Sequence, residues 1–147
     1  MEEEIQTTWW VQVFTLSTWR RFLERGGSIT GFRDSRWNLI QKIKPGDQIL
    51  CYLSGVSRFI AVLEVRSQPF LDDSRIWDES LFPCRLEVEV VRSVQESRAI
   101  PIRELSDLSV FRIRNWSLYL VASPAKWRPE DGRIVATALK KRAMEQS

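Results

Sequence analysis

The 147-residue chain has the size of one domain, with 44% hydrophobic residues, 28% charged residues and a formal net charge of +3, a balance that supports a packed core and excludes an intrinsically disordered chain. It contains no histidine, which excludes Ser-His-Asp and Cys-His catalysis, a histidine general base and every histidine metal site. Its 22 basic residues are 17 arginines and five lysines, and it carries seven tryptophans and seven phenylalanines, a supply of side chains that pair with phosphate and stack on planar groups.

Residues 9–15 (WWVQVFT) are dense in β-branched and aromatic side chains and read as a strand. Ser17 or Thr18 is placed to cap a short helix carrying Trp19, Phe22 and Leu23 on one face, with Gly26 and Gly27 ending it. Residues 28–34 (SITGFRD) read as a loop, after which Asp34 or Ser35 caps a second helix that turns Trp37, Ile40 and Ile43 inward. The Lys44-Pro45-Gly46-Asp47 turn leads into a strand, QILCYL, and the SGVSR loop returns the chain through FIAVLEV as a hairpin. Residues 67–82 are polar and irregular but hold Phe70, Trp77 and Phe82. A long strand then alternates, with Leu86, Val88 and Val90 on one face and Glu87, Glu89 and Val91 on the other. A Pro101 segment with a short helical stretch (RELSDL) precedes a last strand, WSLYLVA, and Pro129 opens a terminal helix ending in KKRA.

Hairpins dominate this order and long crossovers are absent, which predicts an α+β fold: a curved antiparallel sheet or small β-barrel with helices packed outside. The chain reads as a single domain over residues 1–147, with 1–8 and 143–147 as flexible ends. The acidic start, MEEEIQTT, lacks the apolar stretch of a secretory signal, and no apolar run approaches the about 18 residues of a membrane span, so the expected compartment is the cytoplasm. Cys51 and Cys84 have no CxxC spacing and read as buried thiols, not a disulfide, in a reducing compartment.

No phosphate-cradling glycine motif, dinucleotide fingerprint or nucleophile elbow is present. Asp72, Asp73, Asp78 and Glu79 cluster in one loop as a magnesium site requires, but no lysine-containing motif completes a nuclease-like set, so the cluster reads as a solvated loop and the chain as a non-enzyme without cofactor or metal. Trp9, Trp10 and Trp19 sit at core spacing. Trp77 differs, flanked by charge in the most polar long loop, with Phe82 five positions on.

WWVQVFT, GFRDSRWNLIQKIKPGDQILCYLSG, FIAVLEVRSQPF and IWDESLFPCRLEVEVVRSV together resemble, in pieces across most of the chain, the EVE domain, a member of the PUA-like superfamily with the YTH domains. Gly31, Arg33, Asn38, Lys44, Gly46, Asp47 and Ser54 fall at the matching places, with Asp34 where the family usually has Asn. The resemblance implies a nucleic-acid-binding module that reads a flipped, modified base in an aromatic pocket. By position it implicates Trp77 and Phe82 as cage walls. The families often place another Trp in the loop after the first helix; this sequence departs there, with Phe32 or Trp37 as substitutes. Thr15, Ser17, Thr30 and Gly31 are placed to meet the base edge, and Arg33, Arg36 and Arg58 to meet phosphate. The implied partner is DNA or RNA with a modified base, served by an effector such as a nuclease or NTPase domain or subunit. A reading of another class remains: a protein-interaction or oligomerisation module docking a partner through exposed aromatics, distinguished by weak salt dependence.

Overall fold

The computed structural model describes residues 6–120 and 123–146. Strand β1 (Trp9–Phe14) is followed by helix α1 (Leu16–Glu24), strand β2 (Ile29–Phe32), helix α2 (Trp37–Ile40), strands β3 (Gln48–Leu53), β4 (Arg58–Val65), β5 (Phe70–Leu71), β6 (Cys84–Ser93), β7 (Ile100–Pro101) and β8 (Ala125–Trp127), and helix α3 (Pro129–Gln146). The strands form one mixed sheet in the order β2-β6-β4-β3-β1-β8, with β5 on β6 and β7 on β4. Its pairs are antiparallel except β1 with β3. Register shifts at Cys51/Tyr52 and at Val62/Leu63 add twist, as bulges do, and the sheet curls into a half-barrel with the helices outside it, the α+β architecture expected.

The alternation of β6 holds: Leu86 and Val88 are buried, Glu87, Glu89 and Val91 exposed. Helix α1 packs Trp19 and Phe22 on Phe14 of β1, at ring separations of 5.3 and 5.9 Å, while Leu23, expected on the same face, is 46% exposed. The helix cap is neither Ser17 nor Thr18 but Thr15: its hydroxyl accepts from the Thr18 N–H at 3.0 Å and its own N–H donates to the Thr18 hydroxyl at 2.9 Å, a reciprocal box that satisfies two backbone donors. Asp47 closes the turn before β3, its carboxylate accepting the Lys44 N–H and the Trp10 indole N–H, both at 3.0 Å. Cys51 and Cys84 are free and buried.

Further expectations are corrected. β1 and β3 pair in parallel, so the segment between them is a long crossover, contrary to the hairpin order expected. Residues 29–32 are a strand, not a loop, because the far edge of β6 offers them backbone partners from Glu87 to Cys84. The segment Trp116–Leu120 is a 3-10 turn: Asn115 turns the chain at φ 60°, and Trp116 packs edge-on against Phe111 at 4.7 Å. The remainder of that expected strand, residues 121–122, lies outside the described residues, and Ala125–Trp127 pairs with β1 instead. No side chain of Asp34 or Ser35 caps α2. Helix α3 runs through KKRA to Gln146, so residues 143–146 belong to it. Among the described residues no helix is long and apolar enough to cross a membrane.

Candidate functional site

A cleft of about 340 Å3 opens where the end of β1 meets the start of α1, strand β2 and the residues preceding β6. Buried Gln12, Gly31, Phe32 and Trp77 line its inner part, half-buried Phe82 and Arg36 stand farther out, and exposed Thr15 and Arg33 form its rim. This volume lies at the small end of the about 300–1,000 Å3 typical of ligand pockets.

The inner wall is built around a buried arginine. Period-2 alternation puts Arg85 on the solvent face of β6 with Glu87 and Glu89, yet the loop of residues 72–82 folds over it and leaves it fully buried. Its guanidinium donates to the Ser74 hydroxyl at 2.8 Å, to the Leu81 and Phe82 carbonyls at 3.2 Å each and to the Ser74 carbonyl, and lies 3.4 Å from the Asp72 carboxylate. It also sits 5.8 Å from the centre of the Trp77 ring. A planar donor fork suits several acceptors at fixed angles, so Arg85 holds the loop in one conformation. The Trp77 indole N–H donates to the Thr18 carbonyl at 3.2 Å, and Phe82 meets Trp77 edge-on at 5.5 Å. Phe82 takes φ 45°, an uncommon backbone state for an aromatic residue. Gly31 makes this packing possible: a Cβ there would lie 2.7 Å from the Phe82 carbonyl and 2.9 Å from the Trp77 ring.

A second network fixes the polar end of the cleft. The Thr30 hydroxyl donates to Gln12 Oε1 at 2.8 Å, and Gln12 Nε2 donates to the Gly31 carbonyl at 3.1 Å. Because that carbonyl can only accept, the amide orientation is set, and Gln12 retains one N–H and further acceptor capacity for a ligand.

The acidic loop is bound into this scaffold. Hydrogen bonds from the Ser74 backbone N–H and hydroxyl, helped by Arg85, hold the Asp72 carboxyl below its usual range, and Glu79 accepts from the Ser17 hydroxyl at 3.2 Å. Burial pushes the Cys51 and Cys84 thiols up.

The structure thus brings Trp77, Phe82, Phe32, Thr15, Gly31, Arg33 and Arg36 to one cleft. Four expected residues are elsewhere. Trp37 packs half-buried against the core. Arg58 starts β4 opposite Leu53 and Pro101 and opens onto a separate depression beside Leu16 and Glu96. Ser17 points to Glu79, and Thr30 is buried behind Gln12, positioning it. Trp77 itself is only 2% exposed, so it is a buried wall and not an accessible platform, and Phe82 is the more accessible aromatic. Gln12, Thr18, Ser123 and Arg85 were not foreseen, and Ser54 was noted only as a position matching the EVE pattern. A glutamine inside an apolar strand is a signal for the first of them, whereas nothing in the local pattern marks Arg85.

The family model for the EVE domain matches residues 8–124. A UPF0310 protein of Pyrococcus horikoshii is 20% identical over 139 residues, covering 84% of this chain and 92% of that protein. One from Pyrococcus abyssi is 21% identical over 137 residues, covering 84% and 93%. Among solved structures, a complex of the YTH domain-containing protein Mmi1 with RNA superimposes with a TM-score of 0.70 at 10% identity, covering 96% of this chain and 86% of that one. The YTH domain of the Zygosaccharomyces rouxii MRB1 protein, in complex with N6-methyladenosine RNA, gives 0.64 at 15% identity, covering 97% and 91%. The solved structures share this chain's YTH/PUA-like α+β fold.

Proposed function

The chain belongs to the EVE domain family, and on that premise we propose that it is a nucleic-acid-binding module that takes one flipped, modified base of DNA or RNA into the cleft, without chemistry of its own. The observation that carries this reading is the cleft's composition: an aromatic face at Phe82 and Phe32, an oriented amide at Gln12 and cationic side chains at Arg33 and Arg36 line one opening. A base has apolar faces and polar edges. Stacking on an aromatic ring contributes about 1–3 kcal/mol, the Gln12 amide can meet an edge, and the two arginines can neutralise neighbouring phosphates. Extruding a base from a duplex costs a few kcal/mol, which those phosphate contacts offset. The fold neighbours captured with RNA, one of them with N6-methyladenosine RNA, add support. Among the described side chains none of the large exposed hydrophobics is aromatic, which supports this reading over docking of a partner chain through exposed aromatics.

The test is a titration of short single- and double-stranded DNA and RNA carrying 5-methylcytosine, 5-hydroxymethylcytosine, N6-methyladenine or no modification. We expect preference for one modified base, affinity that falls as salt rises, and a loss of about 1–3 kcal/mol in Phe82→Ala. Arg33→Ala and Arg36→Ala should weaken all sequences alike, each lowering the salt slope by about one. Affinity insensitive to salt and unchanged in Phe82→Ala overturns the reading.

A further inference from the structure

A second, more open cleft of about 510 Å3 lies beside the first, and Ser54 lines both. The Ser54 N–H and hydroxyl both donate to the Phe14 carbonyl, at 2.8 and 3.3 Å, so the shared ridge is fixed to the end of β1. The second cleft is bounded by Tyr52 of β3, the turn of Gly55 and Ser57, and the segment Trp116–Leu120. Its more accessible aromatic is Trp116, half-buried and backed edge-on by Phe111 at 4.7 Å, whereas Tyr52 is buried. The Arg103 guanidinium stands 5.9 Å from the Trp116 ring centre. Arg103 is exposed, and among the described residues no carboxylate pairs with it.

This pairing has the chemistry of a nucleotide subsite: a π face that the exposed guanidinium covers and a base can take over, leaving the cation free to reach a phosphate. Resting on the reading of the first cleft, we propose that the second cleft takes the nucleotide adjacent to the held base. Its base stacks on Trp116, and Arg103 meets the phosphate. The Ser54 ridge separates the two nucleotides, so the strand crosses it between one cleft and the next.

The experiment uses short single strands of RNA and DNA with central N6-methyladenine or 5-methylcytosine, either intact or with an abasic site on one side of the modified base, and the matching free nucleosides. In the unaltered protein, removing the neighbouring base on one side should weaken binding about tenfold, the size of one base–aromatic stack. Trp116→Ala and the surface variant Arg103→Gln should weaken the intact strand, and in Trp116→Ala the abasic strand should bind no worse than the intact one. Nucleoside binding should match the unaltered protein in both variants. A full abasic penalty persisting in Trp116→Ala overturns the subsite, as does a parallel loss for strands and nucleosides in both variants. If Phe82→Ala loses nucleoside binding while Trp116→Ala and Arg103→Gln bind every probe normally, the subsite alone falls. If the unaltered protein binds none of the probes, the base-reading function falls and the subsite falls with it.

Discussion

Two places in the molecule lay a tryptophan ring on a glycine backbone, and they are built by opposite means. On the α3 side, Trp9 of β1 covers Gly132, where an added Cβ would clash with the ring. Trp127 is its register partner on β8, the helix buries Val135 and Leu139, and neither indole N–H has a hydrogen-bond partner among the described residues. At the cleft, Trp77 covers Gly31, but its indole N–H is bonded to Thr18 and the fork of Arg85 ties down the loop that carries it. The first contact is apolar packing, which accepts unpaired donors in exchange for buried area. The second desolvates a guanidinium, which is costly, and gains a fixed geometry in return. A loop that, on the proposed reading, presents Phe82 to a base needs that geometry; a helix closing a core does not.

Truncating the cleft tryptophan should have the largest effect. Trp77→Ala is expected to cost about 3–5 kcal/mol of stability, read from urea unfolding, and base binding with it. A melt like that of the unaltered protein would make Trp77 a ligand platform after all and erase the comparison. Arg85→Met should follow at about 3 kcal/mol or more, because it strands the carbonyls of Ser74, Leu81 and Phe82, and Arg85→Lys should not restore the loss, lacking the planar fork. The glycine pair sharpens the contrast. Gly31→Ala and Gly132→Ala should each destabilise by about 1–3 kcal/mol through overpacking, but at a temperature where both are folded only Gly31→Ala should lose oligonucleotide affinity.

The smallest effect is confined to acid. The Asp72 carboxyl is held low in the folded state, mainly by the Ser74 N–H and hydroxyl. Its contribution to stability is therefore present above the unfolded value of about 4 and lost as pH falls through the lower folded value. The melting temperature of the unaltered protein should drop more steeply over that window than that of Asp72→Asn. Parallel curves would show that Asp72 does not help hold the loop.

The mostly antiparallel curved sheet, the terminal helix and the buried thiols were legible in the chain, because alternation, turn residues and burial preference act over a few neighbours. The EVE resemblance also located Gly31, Arg33 and the Trp77–Phe82 pair in what proves to be one cleft. Strand β2 was not legible: four residues including a glycine carry too little pattern, and their pairing energy comes from β6, more than 50 positions away. Arg58 was placed as part of a loop around the opening and Trp37 as a substitute for the family's loop Trp, whereas strand pairing and helix rotation decide which way a side chain leaves the backbone. The sequence by itself determined which residue types could stack on a base and pair with phosphate. Only the tertiary structure decided that Arg85 turns inward, that Trp77 is a wall with Phe82 as the more accessible ring, and that Gln12 lines the cleft. Those outcomes depend on a loop folding back over the sheet, and the hydrogen bonds and excluded water that stabilise such a closure exist only once distant segments meet.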